Sequence, residues 1–559
     1  MSNGSIVRLY GGFRGVDFRG DEINLIRSPD SVNMWKYYKE TESIRTRPAL
    51  EQRCGFDEKV YGIFFFDSIN GRECIVHSGT QLYSVINGQK KLVFSGANLK
   101  KSNAFTYNSL FYFLDGKNYL QYDGVSCSEV VGYVPTTTIG RTAEGGGEPH
   151  EFVNLISKRR INTFVGDGKS LEYHLDAEGV SEGFKPIVRV DGEKISGYTV
   201  DYPAGRITFS EALPAPLTEG QDNVSVEFEV DTKDREKILG CTMLQVFDNR
   251  VFFSGNDDFP NTIWHCSLND PTYFSDDDYY TEGLDTAKVT GLVAGHNGLW
   301  VFREPSQSKT SIFYHVPTPD AEYGKIYPST HSNIDIGCVG GAVNFNDDIV
   351  FFSQRGLEGI NGNITTEQAV AHRSSLVDRK LTSESKYKDM VLAEWQGYLL
   401  VFIGSHTYVA DSRATFKNEG HAEYEWFYWE LDREVTCAVQ SDGELYIGSV
   451  DGIYSFTDYQ KPILSYWVTA KDKFKYPHMQ KTTNKRGCVV EALGDMSIYA
   501  KTDKTPFELI MSYENVTDKV VPRMKCKKFK DMQLKFESNT RFSLETVTLE
   551  ASVGGYVKE

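Results

Sequence analysis

Three acidic clusters come nearest to chemistry in this 559-residue chain: Asn256-Asp257-Asp258, Asp276-Asp277-Asp278 and Asn346-Asp347-Asp348. Clustered carboxylates can supply the oxygens that calcium takes, and a spaced pair can hydrolyse a glycosidic bond. None of the three has the alternating Asp-x-Asp-x-Asp-Gly spacing of a calcium loop. All lie beside turn signals, where Asx side chains close turns and face water. The eleven histidines, His77, His150, His174, His265, His296 and His421 among them, never fall at metal-ligand spacing. The sequence has no GxxxxGK[ST], HExxH or GxSxG pattern. The expectation is a chain with no catalytic, cofactor-binding or metal-binding residues, and not an enzyme.

Two other patterns could bind rather than react. Tyr424-Glu425-Trp426-Phe427-Tyr428-Trp429 could stack sugars or bases, although its alternation is simpler to read as a strand packed on both faces. The stretches Lys471 to Arg486 and Lys519 to Lys530 are the one place where a polyanion contact fits; the second holds Arg523, Lys525, Lys527, Lys528 and Lys530. A solvated face or a subunit contact would use the same residues.

Charge and composition narrow the classes. Sixty basic against 77 acidic residues leave a net charge of −17, the opposite of what general phosphate neutralisation requires. No run of 18 apolar residues exists that could cross a membrane as a helix. The opening Met1-Ser2-Asn3-Gly4-Ser5 carries no basic, then apolar, leader pattern. Nine scattered cysteines (Cys54, Cys74, Cys127, Cys241, Cys266, Cys338, Cys437, Cys488, Cys526) form no CxxC pair. They are expected to be reduced and buried in a chain assembled in cytoplasm. With 34 Phe, 32 Tyr and 49 Gly, the composition favours short strands and tight turns.

The elements that position these residues recur. A strand of large apolar residues, a Gly/Asx turn and a second short strand appear at Ile75-Val76, Leu110-Phe111, Val251-Phe252-Phe253, Leu299-Trp300, Ile349-Val350, Leu399-Leu400 and Leu445-Tyr446. From 251 onward the anchors lie 48, 50, 50 and 46 residues apart. A period in the forties with several strands per repeat predicts an all-β chain with about seven propeller blades, running over 51–140 and 236–460. The step of 141 residues from 110 to 251 leaves room for about 90 extra residues. Hairpin signals at Val190-Asp191-Gly192 and Pro203-Ala204-Gly205 predict an inserted β-sandwich over 150–232, entered through the linker-like Glu144–Pro149. A C-terminal β module is expected over 461–559 and an N-terminal assembly segment over 1–50. Both lie outside the counted blades, so intersubunit contacts are expected there. The region 365–394, with Ser374-Ser375 as candidate caps, reads as short helices at most.

Several stretches carry a resemblance. GGFRGVDFRGDE (11–22), SPDSVNM (28–34) and IRTRPAL (44–50) are similar to the opening of phage packaged-DNA stabilisation or tail hub and nozzle proteins; Ala49 stands where that family has Gly. NLISKRRINTFVGDGKSLEYHLD (154–176), followed by VDGEKISGYTVDYPAGRITFSEALP, resembles their inserted β-domain. FFSGNDDFPNTIWHCSLNDPTYFSDDDYY (252–280) is similar to a blade of these virion propellers. The resemblance implies a structural tail protein located in the virion and assembled in the host cytoplasm. It implies a homo-oligomeric ring, often a hexamer, at the distal end of the head-tail connector, meeting connector or adaptor proteins and a tail fibre or needle. Such a ring extends the DNA channel, retains the genome until ejection and passes DNA without reading its sequence. An acidic lumen would let phosphates slide. The competing expectations are a propeller glycosidase and a receptor-binding module on the host surface.

Overall fold

The computed structural model describes residues 5–20, 23–37, 43–321, 324–332, 334–362, 369–418, 420–458 and 460–556. Seven four-stranded antiparallel sheets follow one another around an axis. Blades 1 and 2 cover 60–95 and 103–129, and blades 3 to 6 cover 243–281, 289–331, 342–372 and 391–430. Blade 7 takes three strands from 437–458 and its outermost strand, Ala49–Gly55, from near the N-terminus. This joins the two ends of the propeller, so no blade is left with an open flank. The fold is an all-β propeller of seven blades.

Every apolar anchor seen in the sequence falls on the second strand of a blade, for example Gly298–Arg303 and Tyr398–Ile403, both buried throughout. A second strand has a neighbour on each side and a blade on each face, so both sides of its pleat must be apolar. In blades 2 to 7 it is reached through a two-residue turn with positive φ at both positions: Asn108-Ser109, Asp248-Asn249, His296-Asn297, Asn346-Asp347, Gln396-Gly397 and Asp442-Gly443. Such turns match the right-handed twist of the strands they join, and Asn, Asp and Gly tolerate them best. The third acidic cluster is one of these turns.

The inserted domain leaves after blade 2 and returns before blade 3. A six-stranded and a three-stranded sheet enclose Phe164, Tyr173, Val188, Ile207, Phe209, Val226 and Phe228. Its first strand is Thr136–Arg141, which runs parallel to Arg159–Phe164, so the domain begins near 136 rather than 150. The expected linker is a turn: Gly145, Gly146 and Gly147 all take positive φ, and Glu148–Pro149 pairs back onto Thr138 and Ile139. The domain leans on blade 3, where Leu155 donates its N–H to the Phe274 carbonyl at 2.8 Å.

The chain termini form one domain, which corrects the expectation of a separate N-terminal assembly segment. Ser5–Gly11 and Ile44–Thr46 both pair with the strand Phe542–Tyr556, and Ser31–Val32 pairs with Ser465–Val468, all within a ten-stranded sheet. The described residues 13–20, 23–37 and 43–47 are clamped between this sheet and blade 6. Val16 donates its N–H to the Trp426 carbonyl at 2.7 Å, and Trp35 stacks on Trp395 with ring centroids 5.7 Å apart. The guanidinium of Arg27 forks onto the fully buried Glu425 carboxylate at 2.6 and 2.9 Å. Within 365–394 the helices are a single turn over Asp378–Leu381 and a 3-10 turn at Tyr387–Asp389. Ser374 does not cap the first through its side chain, which donates to Asp378 instead. Residues 365–368 of that region lie outside the described residues.

Candidate functional site

The acidic clusters are explained by local structure. Asp257 is held between Lys100 at 3.0 Å and Lys288 at 3.1 Å, whose hydrogen bonds keep its carboxyl below the usual range. Asp278 is pushed up to about 6 by burial, and its Oδ1 lies 3.8 Å from Nε2 of His265, itself driven down to about 4 by burial. Asp348 accepts hydrogen bonds from Arg373 Nε at 2.9 Å and Tyr424 OH at 2.6 Å on one oxygen. Among the described residues no three His, Cys, Asp or Glu side chains are grouped to hold a metal ion.

Nor does the aromatic run offer a platform. Trp426 and Trp429 are fully buried in the outer strand of blade 6, and the N-terminal segment covers that strand through Phe18, edge-on to Tyr428, and Trp35, edge-on to Trp429. The nine cysteines are all free thiols, five of them buried.

Two further polar groupings bear on function. Between blades 3 and 4, Nε2 of His315 lies 3.0 Å from Oε1 of Glu282, Arg250 donates to Tyr327 OH at 3.0 Å, and Tyr327 donates to Asp248 at 2.8 Å. These links are buried and bind one blade to the next. At one end of the axis the first strands leave a cavity of about 600 Å³, lined by Lys101, Thr242, Thr290, Lys388, Asp389 and Thr436 among others. The surrounding protein pushes the Lys101 ammonium below its ordinary value while its side chain stays open to solvent.

A concentration of unpaired positive charge lies on the terminal domain. The two basic stretches flagged in the sequence, separate in the chain, are neighbours here. Thr483 donates its N–H to the Cys526 carbonyl at 2.9 Å, and Lys481 and Phe529 exchange backbone bonds of 2.8 and 3.1 Å. The Lys481 side chain is buried and staples them, its Nζ donating to the carbonyls of Tyr476 and Lys530 at 2.5 and 2.6 Å. Burial lowers its pKa. Around this staple Lys475, Lys485, Arg486, Lys525, Lys527 and Lys528 are exposed and make no ion pair among the described residues. Over 471–486 and 519–531 the chain carries twelve Lys and Arg against Asp472 and Asp531. Asp472 is turned inward, bonded by Arg8 and Tyr10, and Asp531 is paired with Lys471. No sequence motif marks this face; only the pairing of 481–483 with 526–529 assembles it.

No family model matches the chain, and no curated protein matches it. Among solved structures it is similar to BamB from Moraxella catarrhalis, with a TM-score of 0.35 and 8% identity over 76% of this chain and 92% of that one. It is also similar to the AfRom2 CNH domain (TM-score 0.35, 8% identity, 74% and 98% covered). The WD40 β-propeller domain of Doa1 gives 0.32 and 11% identity, with 73% and 95% covered. What the chain's seven closed sheets provide is a β-propeller scaffold bearing two side domains.

Proposed function

We propose that this chain is a structural, non-enzymatic component of a bacteriophage tail. In this reading it is a nozzle or hub subunit whose copies form a ring that prolongs the DNA channel and retains the packaged genome until ejection. The observation that carries the reading is the placement of the two side domains on a closed wheel. The inserted sandwich leans on blade 3 and the terminal domain on blade 6, three blades away in one direction and four in the other. A propeller without open flanks is a stiff block, and arms on opposite sides let each copy meet two neighbours in a head-to-tail ring. The resemblance supplies the viral setting. Its N-terminal stretches are the ones that bind the terminal domain to blade 6, and 252–280 is most of blade 3.

Light scattering coupled to size-exclusion chromatography, with negative-stain images, tests the proposal. Closed rings of the purified chain, of six copies in the arrangement the resemblance implies, are the expected result. A monomer at all concentrations, or release of sugar from host cell wall, would remove it.

A further inference from the structure

The geometry points to the basic face around Lys481 as a surface that grips the phosphate backbone of duplex DNA without reading its sequence. Choosing DNA as the polyanion rests on the conduit reading above; the affinity of the face for phosphate does not.

Three observations carry the inference. First, the cations are not spent internally. Structural lysines in an acidic protein would be expected to pair with the surplus of carboxylates, as Lys100 and Lys288 do with Asp257. Here six exposed side chains gather while the two acids in the same stretches are turned inward or already paired.

Second, the face lies at the end of the terminal domain that is far from the blade 6 contact. Thr46, beside the blade 6 contact, donates to the Phe542 carbonyl, whereas Ser552 of the same strand donates to Asn484, next to Lys485. Ten residues of strand separate the two, about 30 Å at ~3.3 Å per residue. That is several times the ~8 Å screening length at physiological salt. Charges around blade 6 are screened over that distance; the carboxylates that border the face are Glu550, bonded by Ser5, Asp503, which accepts from the Lys530 N–H at 2.7 Å, and Glu508 near Cys526, against six exposed cations.

Third, the chemistry suits a backbone rather than a base. Lysine is a point charge on a flexible stem and dominates the face. Phosphate contacts from such groups position a protein on DNA and carry no sequence information. The face is fixed in shape by the Lys481 staple, so several of these charges are presented together at little ordering cost.

The test is fluorescence anisotropy of a labelled 25-base-pair duplex with the full-length chain between 50 and 200 mM salt. About five phosphate contacts would lower affinity by roughly 10²–10³-fold across that range. The variant K485E/R486E/K527E/K528E is expected to bind at least 30-fold more weakly at 50 mM salt and with a shallower salt dependence. The variant K185E/K194E, on the inserted domain, should bind as the parent does. Unchanged binding by the quadruple variant would overturn the inference, as would parental binding insensitive to salt. Loss of ring formation by the quadruple variant with DNA binding intact would also overturn it, by making the face a subunit contact. Melting curves check that both variants fold. Anisotropy reports phosphate contact and light scattering reports rings, so either reading can fail while the other stands.

Discussion

Nζ of Lys481 lies 2.6 Å from the carbonyl oxygen of Lys530, so a buried ammonium joins two stretches of chain that would otherwise repel each other. Replacing it with methionine keeps the apolar stem but leaves the Tyr476 and Lys530 carbonyls without their donor. The expected cost is about 2 kcal/mol, seen as a lower melting temperature for the terminal domain. Hydrogen exchange should rise at 526–530 before it rises in the blades.

Glu425 should be the most sensitive point of the join between N-terminal segment and propeller. Its carboxylate is fully buried and is met by Arg27 in a fork and by Arg14 at 3.6 Å. In Arg27→Met a buried charge loses its main partner, a loss worth roughly 3–5 kcal/mol. Limited proteolysis should then cut between residues 13 and 47 in the variant while sparing the parent.

Removing the N-terminus through residue 56 takes away Ala49–Gly55, the strand that completes blade 7, together with Trp35 and Ile44 from the core. The expected product is insoluble or lacks a cooperative melting transition. A soluble, cooperatively melting propeller that fails only to form rings would contradict the arrangement described here.

His372 gives a pH signature. Its burial favours the neutral form, but hydrogen bonds with Asp378 at 2.6 Å and Glu358 at 3.3 Å outweigh this and raise its pKa to about 10. A pKa raised on folding stabilises fully below the unfolded value near 6.5 and fades as pH rises through about 10. His372→Gln should therefore cost most near pH 6 and progressively less from pH 8 to 10.5 in urea unfolding. A constant difference across that range would show that the imidazolium contributes nothing.

Asp278 runs the other way. Burial raises its carboxyl to about 6, so its ionisation above that pH opposes folding. Asp278→Asn should raise stability at pH 8 relative to the parent and change little below pH 4. Thermal melts at the two pH values check the sign.

What was legible in the sequence follows from how local the signal is. The second strand of each blade is buried on both faces, so Leu399-Leu400 or Phe351-Phe352 announces itself within a few residues, and Asn346-Asp347 or Asp442-Gly443 marks the turn beside it. The seven blades could be counted from that pattern. The start of the insert could not, because Thr136–Arg141 has neither apolar alternation nor length, and the three glycines after it look the same in a tight turn as in a linker. The fate of 1–50 was hidden for another reason. Its first strand, Ser5–Gly11, pairs with residues 535 to 547 positions away, and nothing in it states that partner. The basic face combines both cases: its charges are plain in the sequence, while their convergence depends on the pairing of Thr483 with Cys526.

The strand Ala49–Gly55 has a consequence for synthesis. It is made about 400 residues before the edge it must join, Gly452–Asp458. Until then the nascent wheel is an open arc with an uncovered apolar blade face at each tip, and closing so long a loop is slow. Maturation of this protein is thus timed by the last blade, and unfinished chains are exposed to mispairing with one another for most of their elongation.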